Sequence, residues 1–362
     1  MNIFLIGNYN YPFSNSMHLY TEIIHKKLNK KNFKLRILYP AKFFNYFDFK
    51  NKTIKKWFAY LDKYLIFGLK IWFIINKNDV VHITDHANSL LVPFLKTNKI
   101  IITCHDLINV KKIKLKKKLS FSGRIYQILI INNLKKARLI ICVSNNTKKE
   151  LIKFCKISSD NIKVIYHTIN QNFFNKKNLK ILYKKKEKYF LHVGDNKEYK
   201  NRDGVIKIFK ELLKFKKFNR YKLILAGQKI SDEIYNKIKI SNLNKRIINI
   251  INPNSLRLSN LYKNSEGLIF PSIEEGFGWP IIEAQKLGCI VYTTNKPPMN
   301  EIGGNSCIYI KSKSPKISAQ IIKWTYHKRK KIKNLAKINI KRFNDKKFID
   351  QYSEAYKQIN AI

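Results

Sequence analysis

The sequence predicts an α/β protein made of two doubly wound, parallel-sheet domains. Three observations carry this expectation. Short β-rich runs alternate with helical patterns along the whole chain, which is the signature of a helix-covered parallel sheet. The alternation occurs as two series, separated by a polar, lysine-rich stretch. A length of 362 residues also exceeds the roughly 100–200 residues of a usual domain.

The first series runs Ile3–Gly7, Leu35–Tyr39, Val80–Ile83, Ile100–Thr103 and Leu139–Val143, with a closing strand at Lys163–Tyr166. After Val143, Ser144 is a helix cap, and Thr147 and Glu150 have capping-box spacing. This places an N-terminal Rossmann-like domain over residues 1–170. Residues 171–188 read as the linker. The second series runs Tyr189–Val193, Lys222–Ala226, Ile247–Ile250, Gly267–Phe270 and Ile290–Thr293, giving a C-terminal domain over 189–344. Pro280–Leu287 reads as a short helix with Gly288 behind it. The helical segment from about Lys316 to Ile359 is long enough to cross back, its last part (about 345–362) packing on the first domain.

Composition bounds the class. With 45% hydrophobic and 13% aromatic residues the chain is far from a disordered profile, despite 26% charged residues. The longest apolar stretch, Tyr64–Ile75, is interrupted by Lys70 and falls short of the ~20 residues that cross a bilayer. The amino terminus, Met1 to Gly7, carries no basic leader, so a cytoplasmic location is expected. Five cysteines (Cys104, Cys142, Cys155, Cys289, Cys307) form no C-x-x-C pair and read as small buried hydrophobes in a reduced compartment.

The formal net charge is +49. A polyanionic partner, whether nucleic acid or an anionic membrane, is one source of such a charge. The other is codon composition: only nine of 72 basic residues are Arg, and Lys, Asn and Ile abound. Dedicated phosphate readers favour Arg. No zinc-finger spacing, RNP-like aromatic motif or helix-turn-helix signature accompanies the charge, so no nucleic acid is expected. The aromatic, basic helix from about Lys55 to Asn76 has two readings. Core packing accounts for an aromatic stripe at helical spacing, and contact with a lipid-linked acceptor or a membrane interface is the alternative.

Three segments carry chemistry-bearing residues. The first is Glu275-Gly276-Phe277-Gly278-Trp279-Pro280-Ile281-Ile282-Glu283, placed between the strand ending at Phe270 and a helix start. Ligands of open α/β sheets bind at that edge, where backbone N–H groups attract phosphate or sugar oxygens. Three of the twelve glutamates cluster there (Glu274, Glu275, Glu283) in a basic chain. The second is Val193-Gly194-Asp195-Asn196-Lys197-Glu198-Tyr199-Lys200-Asn201, after the first strand of the second domain. The third is Thr103-Cys104-His105-Asp106-Leu107, just past a strand of the first. No Asp-x-Asp pair occurs anywhere.

Together these segments resemble the retaining glycosyltransferases of family 4 (glycosyl transferases group 1, GT-B fold), of the bacterial surface-polysaccharide type. The resemblance spans nearly the whole chain. It is most specific from Phe270 to Ala284, with Gly288 and Glu301-Ile302-Gly303-Gly304 behind. It implies two Rossmann-like domains facing a central cleft, and it assigns roles residue by residue. Glu275 would hold the donor sugar's hydroxyls beside the anomeric centre, and Glu283 would bind the nucleotide ribose. The backbone of Gly276, Phe277 and Gly278 would face sugar oxygens.

By the same resemblance, the loop from Gly194 to Asn201 would cradle the diphosphate, with Lys200 neutralising it and Asn201 capping the next helix. Many members carry Arg before that lysine. Here the residue is Tyr199, and Lys197 is the candidate for the second contact. His105 would reach the sugar from across the cleft, with Asp106 fixing its ring. The first βα loop, Gly7–Ser16, stands where the family has a glycine-rich loop but holds only Gly7. Near Asn252–Ser255 the family makes nucleobase contacts through backbone.

The resemblance implies transfer of a hexose, with mannose as the lead, from a GDP- or UDP-sugar to a hydroxyl of a lipid-linked or oligosaccharide acceptor in cell-surface (lipopolysaccharide-type) polysaccharide synthesis. The anomeric configuration would be retained, with no metal or other cofactor, and at the inner face of the cytoplasmic membrane. Synthesis of a soluble glycoside or storage glucan is the alternative within enzymes, and a polyanion-binding protein is the alternative outside them.

Overall fold

The computed structural model describes residues 1–8, 15–29, 33–41, 43–44, 52–115, 120–169 and 187–361. Most of the expected linker and positions 9–14 of the first βα loop lie outside them. The chain forms two compact units, one of Met1–Tyr166 with Asp345–Ile362 and one of His167–Asn344.

The first unit holds a six-stranded parallel sheet of β1 (Asn2–Ile6), β2 (Lys34–Leu38), β3 (Val80–Ile83), β4 (Ile100–Cys104), β5 (Leu139–Cys142) and β6 (Ile162–Val164). Their spatial order is β2-β1-β3-β4-β5-β6. Every residue of β3, β4 and β5 is buried, as central strands covered on both faces must be, and their sequences are correspondingly apolar runs. The second unit repeats the design with β7 (Tyr189–Gly194), β8 (Lys222–Gly227), β9 (Ile247–Ile251), β10 (Gly267–Phe270), β11 (Val291–Thr294) and β12 (Ile308–Ile310), in the order β12-β11-β10-β7-β8-β9. Each chain path starts in the interior of its sheet, winds to one side, then jumps back across its first strand. That reversal puts a topological switch point between β1 and β3, and another between β7 and β10.

All five cysteines are buried free thiols, with Cys104 and Cys142 adjacent across β4 and β5. Three local expectations are corrected. The three-residue strand β12 is too short to stand out in the sequence. The helix after β5 is capped by Ser144 alone, whose Oγ accepts the Thr147 N–H at 3.1 Å; Glu150 pairs instead with Lys111 at 2.8 Å. The carboxyl-terminal stretch is three helices, Pro315–Thr325, Arg329–Asn339 and Asp345–Asn360, with 3-10 turns at Tyr326–Lys328 and Ile340–Phe343. Extended backbone at Asn344 (ψ 156°) separates the last helix from the turn before it.

That last helix is held in unit 1 by a buried polar network as well as by apolar contact. Tyr356 and His82 are hydrogen-bonded through the tyrosine hydroxyl and Nδ1 at 2.8 Å, and His82 Nε2 lies 2.8 Å from the Thr103 hydroxyl. Tyr20 joins Thr103 and Tyr352. Burial pushes His82 down to about 3, so the network is neutral at physiological pH. Lys27–Asp345 (2.6 Å) and Lys163–Glu354 (2.8 Å) tie the helix at its rim.

The aromatic helical stretch after Lys52 has two faces. Phe67, Gly68 and Ile71 turn inward, where a Cβ on Gly68 would come within 2.9 Å of the Phe94 ring. Trp57, Leu61, Leu65, Leu69, Trp72 and Phe73 are exposed. Core packing therefore accounts for only part of the stripe. Among the described residues no helix is long and apolar enough to cross a membrane.

Candidate active site

The two motifs of the second unit meet at its switch point. Beyond β7 the chain makes a 3-10 turn, Glu198–Lys200, and reaches Asn201 in the left-handed region (φ 56°). From there the Asn201 Oδ1 accepts the Gly204 N–H at 3.1 Å and caps the helix Arg202–Leu213. Its Nδ2 donates to the Pro271 carbonyl at 3.1 Å, and the Ile273 N–H donates to the Tyr199 carbonyl at 2.8 Å. These bonds stitch the loop after β7 to the loop after β10. Between them Lys200 Nζ meets both carboxylate oxygens of Glu275, at 2.8 and 2.9 Å, with the side chains only 16% and 9% exposed. Pairing of this kind is what allows two charges to sit out of water.

Gly194 ends β7 opposite Gly227 of β8. At Gly227 (φ 132°) a Cβ would fall 2.1 Å from the Gly194 carbonyl oxygen, so this close approach requires glycine. Arg202 braces the same loop. Its guanidinium donates to the Gly194 carbonyl (2.5 Å), the Asn196 Oδ1 (2.6 Å) and the Gln228 carbonyl (3.1 Å). Sequence reading passed over Arg202. An Arg at the first position of a helix after a strand-end loop is the signal that could have found it. Lys197 is exposed and lies 3.5 Å from Asp195.

Glu283 stands in the helix Trp279–Lys286, whose start is set by Gly278 in the left-handed region (φ 93°) with Pro280 in the first turn. The Tyr262 hydroxyl donates to its carboxylate at 2.9 Å. Burial pushes the Glu283 carboxyl up to about 7, against the pull of that bond. Phe277 is buried edge-on to His167 (4.7 Å) and Phe343 (5.8 Å), which anchors the backbone of Gly276–Gly278.

In the first unit His105 follows β4 and is buried. Its ring is fixed by Nε2, 2.8 Å from the Thr84 carbonyl, and by the edge of Tyr20 at 4.7 Å. The Asp106 carboxylate accepts the Ile108 N–H at 3.1 Å. Burial pulls the His105 pKa down. With Nε2 donating to the carbonyl, the neutral ring presents Nδ1 as an acceptor.

A polar group missed in the sequence sits at the carboxyl edge of the same sheet. Asp85, after β3, accepts Asn8 Nδ2 at 2.7 Å and the Ala87 N–H at 3.0 Å, and His86 Nδ1 lies 3.4 Å from its carboxylate. Lys63 Nζ donates to Asn8 Oδ1 at 3.1 Å. Burial alone would raise the Asp85 pKa; His86, His105 and Lys63 hold it low. Thr84-Asp85-His86 occupies the position after β3 that His105 occupies after β4, which is the signal that could have found it. Among the described residues no group of three or more His, Cys, Asp and Glu side chains is placed to hold a metal.

Comparison with known proteins agrees with this architecture. The family model "Glycosyltransferase Family 4" matches residues 24–173 and "Glycosyl transferases group 1" matches residues 173–342. The O-antigen chain mannosyltransferase RfbU of Salmonella typhimurium is 28% identical over 198 residues, a region that is 53% of this chain and 52% of that protein. The match thus spans about half the length of this curated relative. Among solved structures, sucrose-phosphate synthase from Thermosynechococcus elongatus shares the fold over 99% of both chains (TM-score 0.78, 16% identity). Anabaena HepE, solved with UDP and glucose, shares it over 99% of this chain and 100% of that one (TM-score 0.74, 14% identity). With two parallel six-stranded sheets and both family models matched in succession, the chain belongs to the family 4, group 1 glycosyltransferases of the GT-B fold.

Proposed function

We propose that the chain is a retaining hexosyltransferase that moves a sugar from a nucleoside diphosphate donor to a hydroxyl of a lipid-linked or oligosaccharide acceptor in bacterial cell-surface polysaccharide synthesis. The observation that carries this reading is the pairing of Lys200 with Glu275 at the switch point of the second sheet. One group is suited to a departing diphosphate and the other to sugar hydroxyls, and they are within contact of each other.

In this reading Lys200 neutralises the diphosphate as the anomeric C–O bond breaks, and the backbone from Gly276 to Gly278 faces sugar oxygens. Gly194 and Asn201 shape the phosphate loop, and Lys197 lies at its rim. Glu283 takes the ribose hydroxyls. His105 accepts a hydrogen bond from a sugar hydroxyl through Nδ1. The acceptor attacks on the face from which the diphosphate leaves, so configuration is retained. Positive charge at the leaving group comes from Lys200 and backbone N–H groups, and no cofactor beyond the donor is required.

Mannose as the transferred hexose is supported by the RfbU relative. UDP as the carrier is supported by the HepE structure, and GDP remains the lead from general resemblance. A thermal-shift panel of UDP, GDP, ADP, CMP and their sugars tests the reading, since a ligand selective for the native state raises Tm. One nucleotide and its sugar are expected to stabilise the protein selectively, and Glu275→Ala to abolish transfer while leaving the fold intact. Near-normal turnover in that variant would sink the assignment.

A further inference from the structure

His192 lies in β7 two residues before Gly194, fully buried between apolar neighbours, and no step described above uses it. Among the described residues, β7 and β10 pair through Phe190–Gly267 and Leu191–Leu268 and no further. Each strand keeps its other neighbour beyond that point: β7 stays on β8 as far as Gly194–Gly227, and β10 stays on β11 as far as Phe270–Thr293. The two strands therefore diverge from His192 onward, at the switch point, which opens a gap between the loop that carries Lys200 and the loop that carries Glu275. The His192 ring spans the inner end of that gap, with Nδ1 3.0 Å from the Ile269 carbonyl. His192 and Ile269 would be the next pair in register, so a side chain here takes over from the backbone ladder. A carbonyl only accepts, so Nδ1 carries the proton. Farther out the gap is closed by the bonds from Asn201 to the Pro271 carbonyl and from the Ile273 N–H to the Tyr199 carbonyl.

The other side of the ring faces the proposed phosphate loop. Residues two apart on a strand share a face, and a Cβ on Gly194 would stand 3.2 Å from His192 Nε2 and 3.5 Å from the Lys200 Cβ. The ring, Gly194 and the stem of Lys200 thus abut one another. Nε2 is buried and, among the described residues, has no hydrogen-bond partner. Burial holds the His192 pKa down to about 3, with the Arg202 and Lys200 cations adding to it, so the ring is neutral and keeps one tautomer at neutral pH. An apolar side chain would fill the same space at a smaller desolvation cost, so the imidazole is explained by what it ties rather than by packing.

We infer that His192 is a positioning residue for the sugar transfer proposed above, a role that rests on Lys200 being the group that takes the diphosphate. The imidazole fixes the separation of β7 from β10 where their ladder ends, and it supports Gly194 and Lys200 from beneath. Lys200 then meets Glu275 and the diphosphate at the spacing that transfer requires. His192 touches no substrate and acts through Ile269, Gly194 and Lys200.

Two substitutions separate the tie from the bulk. His192→Phe keeps a ring of similar size and loses the N–H, whereas His192→Asn keeps an N–H at the same number of bonds from the backbone as Nδ1. With the donor sugar that the nucleotide panel selects, kcat/KM should fall roughly tenfold or more in His192→Phe, and His192→Asn should recover most of the loss. In His192→Phe the Kd of the nucleoside diphosphate should rise, while that of the matching monophosphate, which lacks the second phosphate, stays within about twofold. A ligand-free reading accompanies these. The coupling between Lys200 and Glu275, from guanidinium unfolding of Lys200→Met, Glu275→Gln and the double variant, should drop to about half or less when the cycle is repeated in the His192→Phe background. Should His192→Phe fold poorly, His192→Leu, which also lacks the N–H, carries the same measurements. Unchanged kcat/KM with unchanged coupling overturns the inference, and so does an equal loss of affinity for diphosphate and monophosphate, which is what a merely structural role would give. Failure of the wild-type chain to bind any nucleotide would instead sink the proposed function, and the coupling cycle would still decide whether His192 holds Lys200 against Glu275.

Discussion

Lys200 and Glu275, 75 residues apart in sequence, form a two-pronged ion pair at the point where the second sheet reverses its winding. The pair is largely withdrawn from water, so each charge depends on the other. Lys200→Met should lower unfolding free energy by about 3 kcal/mol, because it leaves the carboxylate withdrawn and uncompensated. Adding Glu275→Gln should recover part of the loss. Guanidinium titration of the two single variants and the double variant closes the cycle, and strict additivity would mean the pair contributes no coupling.

A charge-conserving change separates stability from chemistry. Lys200→Arg keeps the cation but not its position, and should preserve most of the stability while lowering kcat/KM by roughly 10²-fold, about 2.7 kcal/mol of transition-state stabilisation. Steady-state kinetics on the donor selected by the nucleotide panel is the measurement.

Glu283 predicts a pH dependence. Its carboxyl is pushed up to about 7 by burial, so it is protonated at pH 6 and ionised at pH 8. If the carboxylate accepts two ribose hydroxyls, nucleotide binding tightens as pH rises through about 7, and Glu283→Gln removes the dependence. The stability effect has the opposite sign. The folded state binds this proton more tightly than the unfolded chain, so stability is lost as pH rises from about 4.5 to about 7. Calorimetric Kd and Tm measured across that range read the two signs independently.

The Gly194–Gly227 contact leaves no room for a methyl group. Gly227→Ala combines an unfavourable φ of 132° with a 2.1 Å clash against the Gly194 carbonyl, and should cost about 3 kcal/mol. Because the displaced carbonyl belongs to the proposed phosphate loop, KM for the donor should rise as well. Gly288→Ala provides the comparison: its φ of 72° is strained, but nothing lies within 4 Å of the added methyl. It should cost less and leave KM unchanged.

The polar network under the last helix predicts a smaller, purely structural effect. Tyr356→Phe removes the hydroxyl that bonds His82 Nδ1 and leaves that nitrogen buried, for a loss of about 1–3 kcal/mol with donor affinity unchanged. Thermal melts with and without nucleotide distinguish this from an effect on the site.

Much of the fold could be read from local pattern. Buried parallel strands such as Val80–Ile83 and Ile100–Cys104 are continuous apolar runs, and a glycine or asparagine with positive φ marks where loops turn into helices at Gly278 and Asn201. The three-residue strand β12 could not be read, since a run so short carries no periodicity, and neither could the breaks that divide the carboxyl-terminal stretch into three helices. Among the candidate residues of each unit, Lys200 and Glu275 in the second and His105 in the first stood out because each follows a strand in a recognisable motif. Asp85 and Arg202 occupy equally informative positions without one.

The sequence was enough to name two winding series, the glycine-marked turns and the acidic motif after β10, because these depend on neighbours a few residues away. Folding had to supply the rest. Strand order brought β7 beside β10 and so paired Lys200 with Glu275, and the return of the last helix placed Tyr352 and Tyr356 beside Tyr20 and His82. Helical spacing marked an aromatic stripe but not which way it faced, and only packing against Phe94 turned Gly68 inward and left Trp57 and Phe73 in water. Periodicity is a property of the chain, whereas adjacency and direction depend on which surfaces meet, and those surfaces come from segments far apart in sequence.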